Sequence, residues 1–332
     1  MAEIPKQESQ TVKDIYQYYE DTRSDWRRPH LGGSQIGAKC SRSLWYQFHW
    51  CSAPNFPGQM LRLFETGNIE EDRVVSDLRH SGIEVYDRDP KNPEQQIRYV
   101  DPECGGHFSG SFDGVGKGFK ESTAWHLIEI KSTNTKGYND LLKNGIEKAK
   151  PIHYAQIQIY LKWSGLTRAH YFSVCKDNDK YYNERVRYDK EFAETLTAKA
   201  KAIIFAPNPP DGISMHGDAW DCKYCDYAPL CKREALPEIN CRTCSHSTPK
   251  IMDMKGRWTC ERYVMVIDTN RQKDEFCQQH IYIPSLVPMD VSDADADAGT
   301  ITYLLPSGEQ ITNGPGHTSS EELRRIVDNE II

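Results

Sequence analysis

The sequence predicts an α/β chain, a mixed sheet flanked by helices. Three observations carry that expectation. Short runs of β-forming residues recur at 83–86, 96–100, 107–112, 125–130, 169–175 and 182–188. Longer segments of helical period lie among them at 58–81, 151–163 and 190–204. The cysteines then crowd into the last third of the chain, with Cys222, Cys225, Cys231, Cys241, Cys244, Cys260 and Cys277 following one another closely. That pattern predicts small stapled modules after the main sheet.

Taken in order, Met1-Ala2-Glu3-Ile4-Pro5-Lys6 opens no signal peptide, and no apolar run is long enough to span a bilayer. The expectation is a soluble cytoplasmic protein with no membrane partner. Val12, Ile15, Tyr16 and Tyr19 give a first amphipathic helix whose stripe should face a core. Ser34 is placed to cap a short helix. Cys40 comes just before another helix, with Leu44, Trp45 and Phe48 inward. The helix over 58–81 carries Gly67 and, four residues on, Glu71. Strands at 83–86 and 96–100 lead to a strand over 107–112 that ends at Asp113. Gly114, Gly116 and Gly118 then let the chain fold back as a hairpin toward Trp125, Leu127, Ile128 and Ile130. Glu129 and Lys131 are two apart in that strand and share one face. Pro151 suits the first turn of a helix in which Gln156 and Tyr160, four apart, share a face. Cys51, Cys104 and Cys175 have no paired spacing and read as small buried residues.

The hairpin would set Asp113 beside Glu129 and Lys131. Converging carboxylates repel unless a hard cation lies between them, and a lysine there can orient a water. The layout suits metal-assisted hydrolysis of a phosphodiester. Asp113, Glu129 and Lys131 resemble the core of the PD-(D/E)XK nuclease superfamily, with Phe112 where that family often has proline. Gln156 to Tyr160 resembles the Q-x-x-x-Y motif of its RecB-like branch, and Gly67 with Glu71 resembles that branch's first motif. The resemblance implies that Glu71, Asp113, Glu129 and the Ile130 carbonyl hold Mg²⁺ or Mn²⁺. It implies that Lys131 positions the attacking water and that Gln156 and Tyr160 orient the strand.

Pro207, Pro209 and Pro210 break the chain before Cys222-x₂-Cys225-x₅-Cys231. Three thiolates need a fourth ligand for a cluster or zinc. Spacing leaves Cys40, Cys51, Cys104 and Cys175 open. An early cysteine with a late triplet resembles the iron–sulfur RecB-like nucleases, the AddB helicase-nuclease and the small CRISPR-associated exonucleases, and this implies Cys40 and a 4Fe–4S staple. Zinc on the same thiolates is the alternative. Cys241-x₂-Cys244 with Cys260 and Cys277 reads as a second, structural Zn²⁺ module, with His280 as an alternative donor to Cys277.

The net charge of −7 comes from the tail, since residues 281–332 hold nine acidic and two basic side chains. The rest is balanced and can hold a local basic groove. Residues 293–299 read as an acidic linker, 300–305 and 309–312 as a hairpin, and Ser319 to Glu322 as a capping box opening a short helix. The expected organisation is a nuclease domain over 1–235, a zinc module over 236–284, and a linker with a small appendage over 285–332. The resemblance implies a DNA exonuclease for recombination, repair or end trimming, of a kind common in phages. Its partners would be single-stranded or resected DNA ends and a recombinase or single-strand-binding protein. A nicking or structure-specific endonuclease on the same site is the rival, and a non-catalytic DNA-end-binding scaffold is the rival of another class.

Overall fold

The computed structural model describes residues 9–214 and 219–331, so the leader expectation at Met1 to Lys6 lies outside the described residues. The chain begins with α1 (Gln10–Asp21), β1 (Leu31–Gly32), α2 (Ser41–Phe48) and α3 (Gly58–His80). Six strands follow: β2 (Glu84–Tyr86), β3 (Arg88–Asp89), β4 (Asn92–Gln96), β5 (Arg98–Val100), β6 (Phe108–Ser111) and β7 (Gly114–Lys117). Next come β8 (His126–Thr133), α4 (Thr135–Ala149), α5 (Pro151–Ser164), β9 (Arg168–Cys175), β10 (Lys180–Arg187), α6 (Lys190–Ile204) and the one-turn α7 (Ala228–Cys231). The chain closes with β11 (Ser247–Met252), β12 (Lys255–Cys260), β13 (Met265–Ile267), β14 (Asp290–Asp295), β15 (Thr300–Leu304), β16 (Gln310–Asn313) and α8 (Ser320–Ile331).

Two compact units alternate along the sequence. The first comprises Met1–Trp26, Pro54–Arg98 and Ser111–Tyr188; the second comprises Arg27–Ala53, Tyr99–Gly110 and Asp189–Ile332. The first unit is built on a mixed sheet of order β10-β9-β8-β7-β2, in which β8 and β9 run parallel. A parallel pair needs a long crossover, and α4 with α5 supplies it. Asn134 caps α4 by accepting from the Gly137 amide, and Pro151 opens α5. Gly165 closes α5 in the left-handed conformation, at φ 69°, that glycine adopts without a Cβ clash. One face of the sheet, with Ile128, Ile130 and Val174, packs against Val74, Val75 and Leu78 of α3. Glu129 and Lys131 alternate with those residues and lie on the other face.

Two sequence expectations change in this unit. The glycine-rich segment after Asp113 is not merely a turn. Gly114–Lys117 is itself a strand, and it, not residues 107–112, pairs with β8, through Gly114↔Ile128 and Val115↔Leu127. Bare backbone is what this strand needs: a Cβ on Gly116 would come within 2.8 Å of the Ile128 side chain. The stripe of α1 is not core either, because that helix has no buried residue. It lies along α3 at Gly58, where a Cβ would sit 2.1 Å from the Tyr16 carbonyl oxygen.

The second unit contains the sheet β1-β6-β5, the α2–α6 pair, and the sheets β11-β12-β13 and β14-β15-β16. The first residues read as an acidic linker, Asp293, Ala294 and Asp295, end β14, which pairs antiparallel with β15. Its six side chains are all exposed, so three aspartates stay in water while the backbone completes the ladder. The appendage has a substantial core, with Leu236, Ile281, Tyr282, Tyr303, Leu323 and Val327 in one apolar cluster. Ser319 and Glu322 form the expected capping box, each side chain accepting from the other's amide. Among the described residues no helix is long and apolar enough to cross a membrane.

Candidate active site

The β7–β8 ladder stops at Gly114↔Ile128, and the amide of Ile130 donates instead to Asp113 Oδ2 at 2.7 Å. This places a carboxylate at the opening between two strands. Glu129 projects from β8 and is fully buried. One of its oxygens, Oε1, accepts from Gln156 Nε2 at 2.6 Å and also meets Lys131 Nζ. The other, Oε2, is buried with no partner. Lys131 Nζ also donates to the Ile130 carbonyl at 3.0 Å and lies 3.7 Å from Asp113 Oδ2. Glu71, on α3, is held by Gln96 Nε2 at 2.6 Å and feels the charges of Asp113 and Lys131.

The electrostatics follow from crowding three carboxylates around one ammonium. Burial, then the charge of Asp113, pushes Glu129 up to about 8 although Lys131 opposes it. Burial and Asp113 likewise push Glu71 up to about 7. Burial works against the charge on Lys131, but Asp113 and Glu129 outweigh it and hold the ammonium well above its ordinary range.

The structure thus brings Glu71, Asp113, Glu129, Lys131 and Gln156 together. Gln156 spends its amide on Glu129 and is buried. Tyr160 is buried one turn further along α5, against Phe112 and Trp163. Neither side chain is exposed to a passing strand. Because α5 is apolar nearly all round, its polar side chains must find partners inside.

Sequence reasoning placed Gln96 at the start of a strand but missed its role, because its partner Glu71 lies 25 residues away on α3. It also missed His153, one turn before Gln156 on α5. The His153 ring meets the Tyr171 hydroxyl at 2.9 Å, and Tyr171 is the register partner of Glu129. Burial, then the Lys131 charge, holds His153 down to about 3. Its spacing from Gln156 was the available signal. A depression of about 480 Å³ adjoins Glu71 and is lined also by Asn68, Arg88, Gln95, Gln96 and Arg98.

The residues fit a divalent cation by the chemistry of their donors: three hard oxygen ligands, excess negative charge, and an orphaned buried oxygen on Glu129. Among the described residues, no three side chains of the metal-binding types are already drawn to coordination distance.

The thiols form two groups in the second unit. Lys39, next to Cys40, pairs with Asp221, next to Cys222, at 3.1 Å. Lys199 on α6 donates to the Ile36 carbonyl at 2.9 Å and fixes the approach to Cys40. Burial, then the nearby Cys231, Cys40 and Cys222, pushes the Cys225 thiol up. Burial, then Cys244, Cys277 and Cys260, pushes Cys241 up to about 12. Those four surround a space of about 20 Å³, room for about one water-sized sphere. His280 is engaged elsewhere, with Nδ1 2.8 Å from Ser320 Oγ and Nε2 3.4 Å from Thr243 Oγ1. Cys51, Cys104 and Cys175 are buried and free.

No protein-family model matches the chain, and no curated protein matches it. Among solved structures it is similar to an alkaline exonuclease from Laribacter hongkongensis, with 18% identity over 57% of this chain and 90% of that one, at a TM-score of 0.39. The same exonuclease in complex with dAMP gives 19% identity, the same coverage and a TM-score of 0.40. A structure of the protein SSO0001 gives 15% identity over 67% of this chain and 96% of that one, at a TM-score of 0.40.

Proposed function

We propose that the chain is a divalent-metal-dependent deoxyribonuclease acting as an exonuclease at DNA ends. The observation that carries this reading is the buried Glu129 carboxylate, one oxygen saturated and the other orphaned, facing Asp113 and Glu71 across a single lysine. Such a surplus of buried negative charge has little structural use and a clear catalytic one. The choice of exonuclease and of DNA is carried by the resemblance in the motifs of Glu71, Asp113, Glu129-x-Lys131 and Gln156.

Mg²⁺ or Mn²⁺ would be held by Glu71, Asp113, Glu129 and the Ile130 carbonyl. When bound it would lower the pKa of a coordinated water and offset the charge that develops on the phosphoryl oxygens. Lys131 stays charged throughout and can hold a water or a phosphoryl oxygen by hydrogen bonding from Nζ. Gln156 fixes the Glu129 oxygen that Lys131 shares, so the second oxygen keeps one direction. Gln96 does the same for Glu71. Tyr160, packed on Phe112, supports the turn that carries Asp113.

Asp113→Ala and Lys131→Ala should each lower cleavage of end-labelled DNA by about a thousandfold or more while binding in EDTA persists. Turnover at the wild-type rate in either variant, or in excess EDTA, defeats the reading. A closed circle that is cut without ends would replace exonuclease with nickase.

The cysteine groups belong to the same reading as two structural centres. Cys40, Cys222, Cys225 and Cys231 would hold a 4Fe–4S cluster, and Cys241, Cys244, Cys260 and Cys277 a Zn²⁺. The closeness of Cys225 to the other three of its group, and of Cys241 to the other three of its own, supports this, since a metal would offset the charges of the thiolates it takes. Anaerobically purified protein should be coloured and should contain zinc. Cys40→Ser should remove the colour, leave the zinc, and expose the second unit to protease. A colourless protein with two zincs overturns the cluster.

A further inference from the structure

The far end of the main sheet carries a group of cations that the carboxylate site does not use. In the β9–β10 register Arg168 stands directly opposite Arg187, and Arg185 opposite His170. Opposed residues share a face, as do residues two apart, so the three guanidinium groups gather on one side. Like charges directly opposed in a sheet are unfavourable. Among the described residues Arg168 donates to Thr167 Oγ1 and Ser122 Oγ, and Arg185 to the Glu121 carbonyl at 3.1 Å, all neutral acceptors, while the Glu121 carboxylate acts on His170 and His126. Beside them, burial keeps the His170 ring neutral to about 4 and lowers His126 too. The three arginines, with Thr167 and Tyr188, line a depression of about 250 Å³.

We propose that this depression is a phosphate-binding site, separate from the carboxylates. Three planar donors converging from two strands, with two hydroxyls, suit an anion with three or four oxygens better than a two-oxygen carboxylate. Glu129 pairs with Tyr171, so Arg168 lies three residues further back, roughly 10 Å along the strand, and on the opposite face. The phosphate is either one of a nucleic-acid strand or a free phosphate or nucleotide. The strand source rests on the nuclease reading; the anion site itself does not.

The test uses the full chain in EDTA, with inorganic phosphate and a short labelled single strand as probes, and Arg168→Gln/Arg187→Gln as the variant. Without phosphate the variant should melt no lower than the wild type, because a repulsion has been removed. Phosphate should raise the wild-type Tm and leave the variant's unchanged. If the strand is the source, the variant should bind the oligonucleotide about tenfold more weakly, with a salt slope reduced by about 1 to 2. A phosphate-dependent Tm with unchanged strand binding assigns the site to a free phosphate. An unchanged response to both probes in the variant overturns the proposal. Absence of DNA cleavage in a separate assay with Mg²⁺ or Mn²⁺, with the phosphate response intact, would defeat only the nuclease reading.

Discussion

Lys131 in the first unit, its side chain 29% exposed, and Arg242 in the second, fully buried, are two cations held in opposite ways. Lys131 sits among carboxylates, and its neighbourhood stays incomplete, with Glu129 Oε2 orphaned and both Glu71 and Glu129 driven toward protonation. Arg242 is 1% exposed, and among the described residues its guanidinium donates to an amide and two carbonyls and not to a carboxylate. Its Nε donates to Gln272 Oε1 at 2.9 Å, Nη1 to the Phe48 carbonyl at 2.7 Å, and Nη2 to the Pro29 carbonyl at 3.0 Å. The guanidinium also lies 3.7 Å from the Trp50 ring centre and 4.9 Å from that of Trp258. Each guanidinium nitrogen has an acceptor there, and the unpartnered buried atom beside it, Trp258 Nε1, is a donor that holds no cation. A charge whose own nitrogens are all engaged holds structure together, and one whose surroundings carry surplus opposite charge is poised to take a cation.

The largest expected difference between the two is in stability. Arg242→Ala leaves two buried acceptors, the Phe48 carbonyl and Gln272 Oε1, without donors and a hole between aromatic rings, and it should cost about 3–5 kcal/mol. Lys131→Ala should cost about 1 kcal/mol or less, because the carboxylates it leaves can take up protons. Urea unfolding of both variants measures this. Equal losses would erase the contrast.

Protons and metal should trade places at the first site and not at the second. Glu71 and Glu129 have folded pKa values above their ordinary ones, so the metal-free fold binds extra protons and loses stability as pH rises from about 4.5 through 8. Mg²⁺ should restore that loss. The Tm rise on adding Mg²⁺ should therefore be larger at pH 9 than at pH 6, and Glu129→Gln should flatten the difference. A metal response independent of pH would separate these carboxylates from the ion.

The effect smallest near neutral pH is an acid limb in the second unit. Burial holds His49, stacked on Trp45, down to about 3. A depressed base makes the unfolded chain the better proton acceptor. The stability it supports is full above pH 6.5 and falls as pH drops toward 3, at up to about 1.4 kcal/mol per pH unit. His49→Phe should shorten that limb in acid-unfolding curves; an unchanged limb would assign it to other groups.

Much of this was legible in the residue order. The helix over Gly58–His80, the strand carrying Glu129 and Lys131, and the helix opened by Pro151 each obey a local period. The hairpin reading grouped Asp113, Glu129 and Lys131, and the family resemblance added Glu71 and Gln156. Two elements escaped because composition spoke against pairing. β7 is glycine-rich where bulky neighbours require it, and β14 carries three aspartates and a serine on an exposed edge. Gln96 and Arg242 escaped because their roles depend on partners 25 and 30 residues away or more.

The sequence by itself determined which side chains can carry charge and thiolate, and at what intervals along each helix and strand, because those intervals follow from fixed backbone geometry. Tertiary structure alone decided which of them lose water together. It left one oxygen of Glu129 bare, set Arg168 against Arg187, and enclosed Arg242 in carbonyls and rings. Desolvation and register are properties of the packed chain, and no local stretch contains them.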